Sequence, residues 1–434
     1  MSYRYVYCWL LLASLQLAFP TLTRAQGSPP WQWVRQGTST TASGGRNIAV
    51  AASGNVFVTG YFTHTLTLGT TTLTTDSTDA FVAKYTASGQ LLWAQKLGSS
   101  GQGTGYQLVV DATENCYVAG VFRGTVHVGA TTLTSQSDGD EFLVKYSGQG
   151  ILLWGQRSSD LAPNYHTMGG GADFPLGPYL NLHLSLDAQG NLYTASRFRG
   201  TITRGTATFT AQGTDALLVK YNAQGQVQWA RQGGGTGEDY AADVALDAAG
   251  NAYVVGGYST PATFGSVVLP AGRSANYNTY LLKYDAQGTI LWGHALAPTS
   301  SPAYAQLQAV GVDASSNVYV LGGFTPELTL GSTTLSLPVV SSGHVFLAKY
   351  DTQGTALWAR MAGSLPPNTI EGSNGYDLAV QADGTVTISG AYSRSMTFDQ
   401  LTLGTPGGLN QTFVARYTPQ GVPSVNWSNV MLRE

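Results

Sequence analysis

Seven tryptophans, Trp33, Trp93, Trp154, Trp229, Trp292, Trp358 and Trp427, recur at intervals of 60 to 75 residues. A period of that size decides architecture before any local propensity does. The text between the anchors repeats too: "DAQGNLY" at 187–193 returns as "DAAGNAY" at 247–253 and "DASSNVY" at 313–319. Each interval resolves into four short β segments, here called a, b, c and d, exemplified by "NIAVAA", "NVFVTGYF", "AFVAKY" and "LLWAQKL" in the first copy. The a–b turn places Gly54, Gly190, Gly250 and Gly384 where a tight hairpin needs left-handed backbone, with Glu114 and Ser316 in that slot elsewhere. The c–d turn repeats the device as "TASG", "SGQG", "NAQG", "DAQG", "DTQG" and "TPQG", so each copy holds two hairpins.

Strand b carries a glycine in one column, Gly60, Gly120, Gly256, Gly322 and Gly390, with Ser196 as the exception, which predicts close backbone approach. Strand c ends in a basic residue and a tyrosine in all six copies, from Lys84-Tyr85 to Arg416-Tyr417. Alternation puts the two on opposite faces, and the cations are expected to lie along apolar surface rather than to form a ligand ring. A lone four-stranded sheet cannot bury both faces, whereas radial stacking of copies builds a continuous core. The expected fold is therefore all-β: a β-propeller of six four-stranded blades, with repeats at about 44–98, 105–158, 179–232, 240–296, 305–362 and 374–430. "WQWVRQG" (31–37) is expected to complete the last blade as an N-terminal closing strand, because the last copy puts Pro423 in its d segment and adds two residues before Trp427. Seven blades is the alternative.

The motifs "DAQGN-Y", "F-AKYD-QG" and "LLWA" resemble the exported bacterial β-propeller repeats known as SBBP repeats, over about residues 31 to 430. The resemblance implies the fold and export; that family offers no shared catalytic motif to carry over.

Only 10% of the 434 residues are charged and the formal net charge is -3. Such a surface has no basic field for nucleic acid or anionic lipid. The start, with Arg4, the apolar run "CWLLLASLQLAF" (8–19) and Ala25 after "TLTR", reads as a signal peptide over 1–25, cleaved near Ala25. A secreted or cell-surface protein without a membrane span is expected. Cys116 would be the single mature cysteine, a buried apolar filler, so packing alone must hold the fold.

Propeller topology gathers the d–a and b–c connections on one face. The variable segments lie there, and rigid scaffolds concentrate binding residues on such loops. The d–a loop of the third copy spans 33 residues from Trp154 to Asp187, against 18 in the second and fourth. Its insertion, 158–180, holds Asp160, Tyr165, His166 and Asp173, and a second long loop, 361–377, holds Glu371, Tyr376 and Asp377. These seven residues are the candidate ligand-binding set. No ligand spacing indicates a metal, no cofactor motif occurs, and the recurring Asp of "DAxGN" is expected to cap its turn rather than bind calcium. With no GxSxG, HExxH or GKS/T signature, the expected function is non-enzymatic binding of a glycan or protein by a monomer. A hydrolase or lyase centred on the third-copy insertion is the alternative, and a purely structural module is a third reading.

Overall fold

A computed structural model describes residues 32–99, 102–129, 131–135, 140–159, 182–259, 261–271, 278–296, 304–336, 343–363, 373–393, 395–399, 401–404 and 410–423. All regular structure among them is β, and the protein is a β-propeller repeat protein. Six antiparallel sheet units follow one another. Unit 1 orders Ser43–Val50, Val56–Leu68, Thr71–Tyr85 and Leu91–Ser99; unit 2 orders Gln102–Val110, Cys116–Arg123, Asp140–Tyr146 and Leu152–Ser159. Unit 3 (His183–Leu186, Leu192–Arg204, Ala207–Tyr221, Val227–Gly234), unit 4 (Tyr240–Leu246, Ala252–Tyr258, Asn278–Tyr284, Ile290–Leu296) and unit 5 (Tyr304–Val312, Val318–Thr325, His344–Tyr350, Ala356–Ala362) repeat that a–b–c–d order. Unit 6 has a, b and c at Ser373–Val380, Val386–Ser393 and Asn410–Tyr417. Beside Asn410–Tyr417, Pro423 makes an isolated bridge to Tyr417 in the six-residue offset that joins Tyr85 to Leu91. Proline therefore enters in register, and the segment from 424, Trp427 included, lies outside the described residues.

Five core clusters are each shared by two successive units, and a sixth lies within unit 1 beside Trp33: Leu108 of unit 2 packs with Phe57 and Val82 of unit 1, and Val310 of unit 5 with Tyr253 and Leu281 of unit 4. The repeated polar residues serve these joints. The indole of each d-strand tryptophan donates to the second carbonyl of the next unit's c–d turn: Trp93 to Gly148, Trp154 to Ala223, Trp229 to Ala286, Trp292 to Thr352 and Trp358 to Pro419, at 3.0 to 3.2 Å. The strand-c lysines Lys84, Lys145, Lys220 and Lys283 donate to the same carbonyls and lie 4.5 to 5.1 Å from the ring of Phe57, Tyr117, Tyr193 or Tyr253. These four lysines are thus buried and stitch blades together.

Trp33 donates to Ala87 in the first unit's turn, and Gly37–Ser39 pairs with Leu66–Leu68, much as the d strands of units 1 and 3 pair with the hairpin of the unit that follows. Residues 33–39 thus sit where the d strand of a preceding blade would; ladder pairing between them and Asn410–Tyr417 is absent among the described residues.

The strand-b glycines have the cause expected of them. A Cβ on Gly60, Gly120, Gly256, Gly322 or Gly390 would stand 1.9 to 2.2 Å from a strand-a carbonyl, where strand a bulges. In unit 3 the described part of strand a begins at His183, opposite Ala195, so among the described residues no strand-a carbonyl is paired opposite Ser196. Glu114 and Ser316 take the left-handed backbone of the a–b turn, at φ 63° and 61°. The turn aspartates accept backbone N–H bonds within their own turns, as Asp187 does from Gln189 and Asn191. Cys116 is fully buried.

Candidate functional site

Of the candidate ligand-binding residues, Asp160, Tyr165, His166, Asp173 and Glu371 lie outside the described residues. Tyr376 is exposed, and Asp377 stands on the inner strand of unit 6. Asp377 belongs to a column that pairing registers identify in every unit: Asn47, Gln107, His183, Asp243, Ala309 and Asp377, each opposite the residue just before the glycine or serine position of strand b. Because the a strands contact one another from unit to unit, this column runs around the axis.

Its members reach across blades. Asn47 Nδ2 donates to Gln107 Oε1 at 3.4 Å, His183 Nδ1 lies 3.2 Å from Asp243 Oδ1, and Val310 N–H donates to Asp243 Oδ2 at 2.9 Å. Burial disfavours the charged imidazole, yet the hydrogen bond and charge of Asp243, and the charge of Asp377, outweigh it and hold the His183 pKa above its ordinary value. The surrounding wall and the charge of Asp243 raise the Asp377 carboxyl, against the Leu378 N–H and His183. The inner strands therefore carry an imidazole and two carboxylates that sense one another. Composition gave no sign of His183 and Asp243; the signal was positional, four residues before the a–b turn motif in units 3 and 4.

A second feature lies on the loop face. The b–c segments form β extensions, among them the hairpins Thr125–Val128 with Thr131–Thr134 and Ala262–Phe264 with Val267–Leu269. Between the long hairpin of unit 3 and that of unit 4 runs an open groove of about 960 Å³. Its walls present the amides of Gln212 and Gln232, the hydroxyls of Thr210, Thr236 and Thr263, and the half-buried ring of Phe209.

Beneath it lie two buried carboxylates. Asp215, 4% exposed, lies in the buried part of strand c in unit 3; Asp239, fully buried, precedes strand a of unit 4. Asp239 is fixed by its own N–H to the Thr214 carbonyl at 2.7 Å, and its carboxylate accepts the N–H groups of Gly235 at 2.7 Å and Ser259 at 3.3 Å. Asp215 accepts from Gln232 Nε2 through Oδ2, while its Oδ1 is buried without a hydrogen-bond partner. Burial, with the charge of Asp215 adding to it, pushes the Asp239 carboxyl up to about 6. Sequence reasoning passed over both residues, because an aspartate in "GTDA" and another in "GEDY" look like loop polarity until the strands bring them together.

No family model matches the chain. It is 24% identical over 386 residues, 72% of the chain, to an uncharacterized WD repeat-containing protein of Acanthamoeba polyphaga mimivirus, and 23% identical over 374 residues, 81% of the chain, to the regulatory protein FlaEY of Caulobacter vibrioides. The chain spans 27% and 36% of the lengths of these relatives. Among solved structures it is similar to the β-propeller domain of the Trilobed protease of Pyrococcus furiosus, at 6% identity and a TM-score of 0.41, over 89% of this chain and 93% of that one. Among the described residues, no group of three or more His, Cys, Asp or Glu is arranged to hold a metal ion, and no helix is long and apolar enough to cross a membrane.

Proposed function

We propose that this protein is a non-enzymatic, exported binding propeller of the SBBP-repeat type, and that its ligand is a neutral glycan held on the loop face. The observation that carries the reading is the groove between units 3 and 4: amides, hydroxyls and one aromatic ring converge in it on a rigid β scaffold, a lining matched to the hydroxyls and apolar faces of sugar rings. Arg231 lines it too but spends its Nε on the Gly288 carbonyl. The two buried aspartates do not favour a hydrolase, since a glycosidic oxygen cannot reach a fully buried Asp239 carboxyl. Export is carried by the signal-like segment 1–25 and is checked by N-terminal sequencing of secreted protein.

A glycan array with the mature chain, followed by calorimetry of Phe209→Ala and Gln212→Ala on the best glycan, tests the site. Each substitution is expected to weaken binding at least about tenfold, one well-made contact being worth about 1.4 kcal/mol. Glycan binding untouched by both variants, or capture of a protein partner with no glycan bound, overturns the assignment.

A further inference from the structure

We propose that Asp215 and Asp239 form a binding site for a hard divalent cation of the calcium class at the joint of units 3 and 4, beneath the groove. A Cβ built on Gly234 would stand 2.8 Å from Asp215 Oδ1 and 2.8 Å from Asp239 Oδ2, so the two oxygens face the same small space and are no further apart than twice that distance. The absence of a side chain at 234 keeps that space open. Asp215 Oδ1 is aimed into it and has no hydrogen-bond partner, although the residue is more than nine-tenths buried.

Two facing carboxylates in a desolvated place repel, and no basic side chain is ion-paired to either among the described residues; Arg199 is bound to exposed Glu238, and Arg231 donates to the Gly288 and Gln287 carbonyls. The site must either keep a proton or take a cation. All donors turned to the space are oxygens, a set that suits calcium and not a soft metal, and calcium accepts irregular geometry with water in its remaining positions. Asp215 and Gly234 line the groove, so a solvated ion has a way in. A buried strand-c aspartate over a glycine recurs in unit 1 as Asp79 over Gly98, but the second carboxylate is particular to this joint: the residues equivalent to Asp239 in units 1, 2, 5 and 6 are Ser43, Gly103, Ala305 and Ser373, none of them a carboxylate.

The test uses the mature chain stripped with EDTA. Calorimetric titration with calcium chloride should give one site per chain, and millimolar calcium should raise the melting temperature. Asp239→Asn keeps the shape and removes one charge; it should weaken calcium at least tenfold and abolish the calcium-induced shift, while its melting temperature in EDTA stays at or above that of the parent, because repulsion with Asp215 is relieved. A merely structural carboxylate would instead lower the melting temperature in EDTA. Gly234→Ala, which fills the space, should also abolish the calcium response. The proposal is overturned if the parent shows no calcium binding, as a pair sharing a proton would, or if Asp239→Asn responds to calcium as the parent does.

Discussion

The first face of unit 1 and the last face of unit 6 define the most direct test of the ring. In the column that packs each strand a on the preceding unit, Leu108, Leu184, Val244 and Val310 are 3 to 8% exposed, whereas Ile48 is 65% exposed. In the strand-c column facing the following unit, Val82, Leu143, Leu218, Leu281 and Leu347 are 0 to 3% exposed, and Val414 is 53% exposed. Ile48 and Val414 are thus the two members whose partner is each other's face. The turn carbonyls give the same answer. Among the described residues Ala87 accepts the indole of Trp33 and no strand-c cation, while Arg416, the sixth member of the cationic column, donates to Gln381 of its own unit. The chain is therefore expected to close between units 6 and 1, with residues 33–37 beside Asn410–Tyr417 as the sixth blade's outer strand.

The perturbation is Ile48→Ala, with Leu108→Ala as the calibrating variant. Truncating a large side chain in a closed joint costs about 2 to 5 kcal/mol, against within about 0.5 kcal/mol at an exposed site. Urea denaturation followed by tryptophan fluorescence should give Ile48→Ala and Leu108→Ala losses of the same order. The midpoint should be independent of protein concentration, since closure within one chain is unimolecular. A near-zero cost for Ile48→Ala beside a full cost for Leu108→Ala refutes the closure. A midpoint rising with concentration would place the joint between two chains instead.

Gly256→Ala should cost about 1 to 3 kcal/mol or more in the same assay, since its Cβ would meet the Tyr240 carbonyl at 2.0 Å and the Tyr280 hydroxyl that donates to it, whereas Ser196→Ala should cost less than about 1 kcal/mol. Burial raises the Cys116 thiol to about 12, so alkylation with iodoacetamide at pH 8 should proceed only in denaturant; rapid reaction of the native protein would contradict the packing. The His183 pKa is raised in the folded state, so its contribution is fully present below the ordinary histidine value near 6.5 and is lost as pH rises through the folded value. His183→Gln should flatten that part of the stability–pH profile, and an unchanged profile would remove His183 from the account.

What could be read from the sequence and what could not divide along a physical line. Hairpins, turn glycines and the tryptophan column are set by backbone geometry local to one repeat, so "DAxGN" and "KYD-QG" announce them wherever they occur. The reason each repeated residue is there was only half visible. Alternation placed Lys145 away from Tyr146, but only the neighbouring blade reveals that its ammonium caps the Ala223 carbonyl together with Trp154. Function depends on the opposite kind of information, on where one copy departs from the others. Length was the departure that sequence reading could weigh, and it drew attention to the insertion at 158–180. The departures with chemistry on view are individual side chains within ladder columns: a histidine and two carboxylates where other units have amides or a methyl, and an aspartate at 239 where units 1, 2, 5 and 6 have Ser43, Gly103, Ala305 and Ser373. Such residues become legible only once strand registers, including the one-residue bulge of strand a, place equivalent positions side by side. In a repeat protein the copies supply the comparison, so the informative alignment is of the chain with itself at the level of ladder partners, and the odd member of a column is where a binding site should be sought.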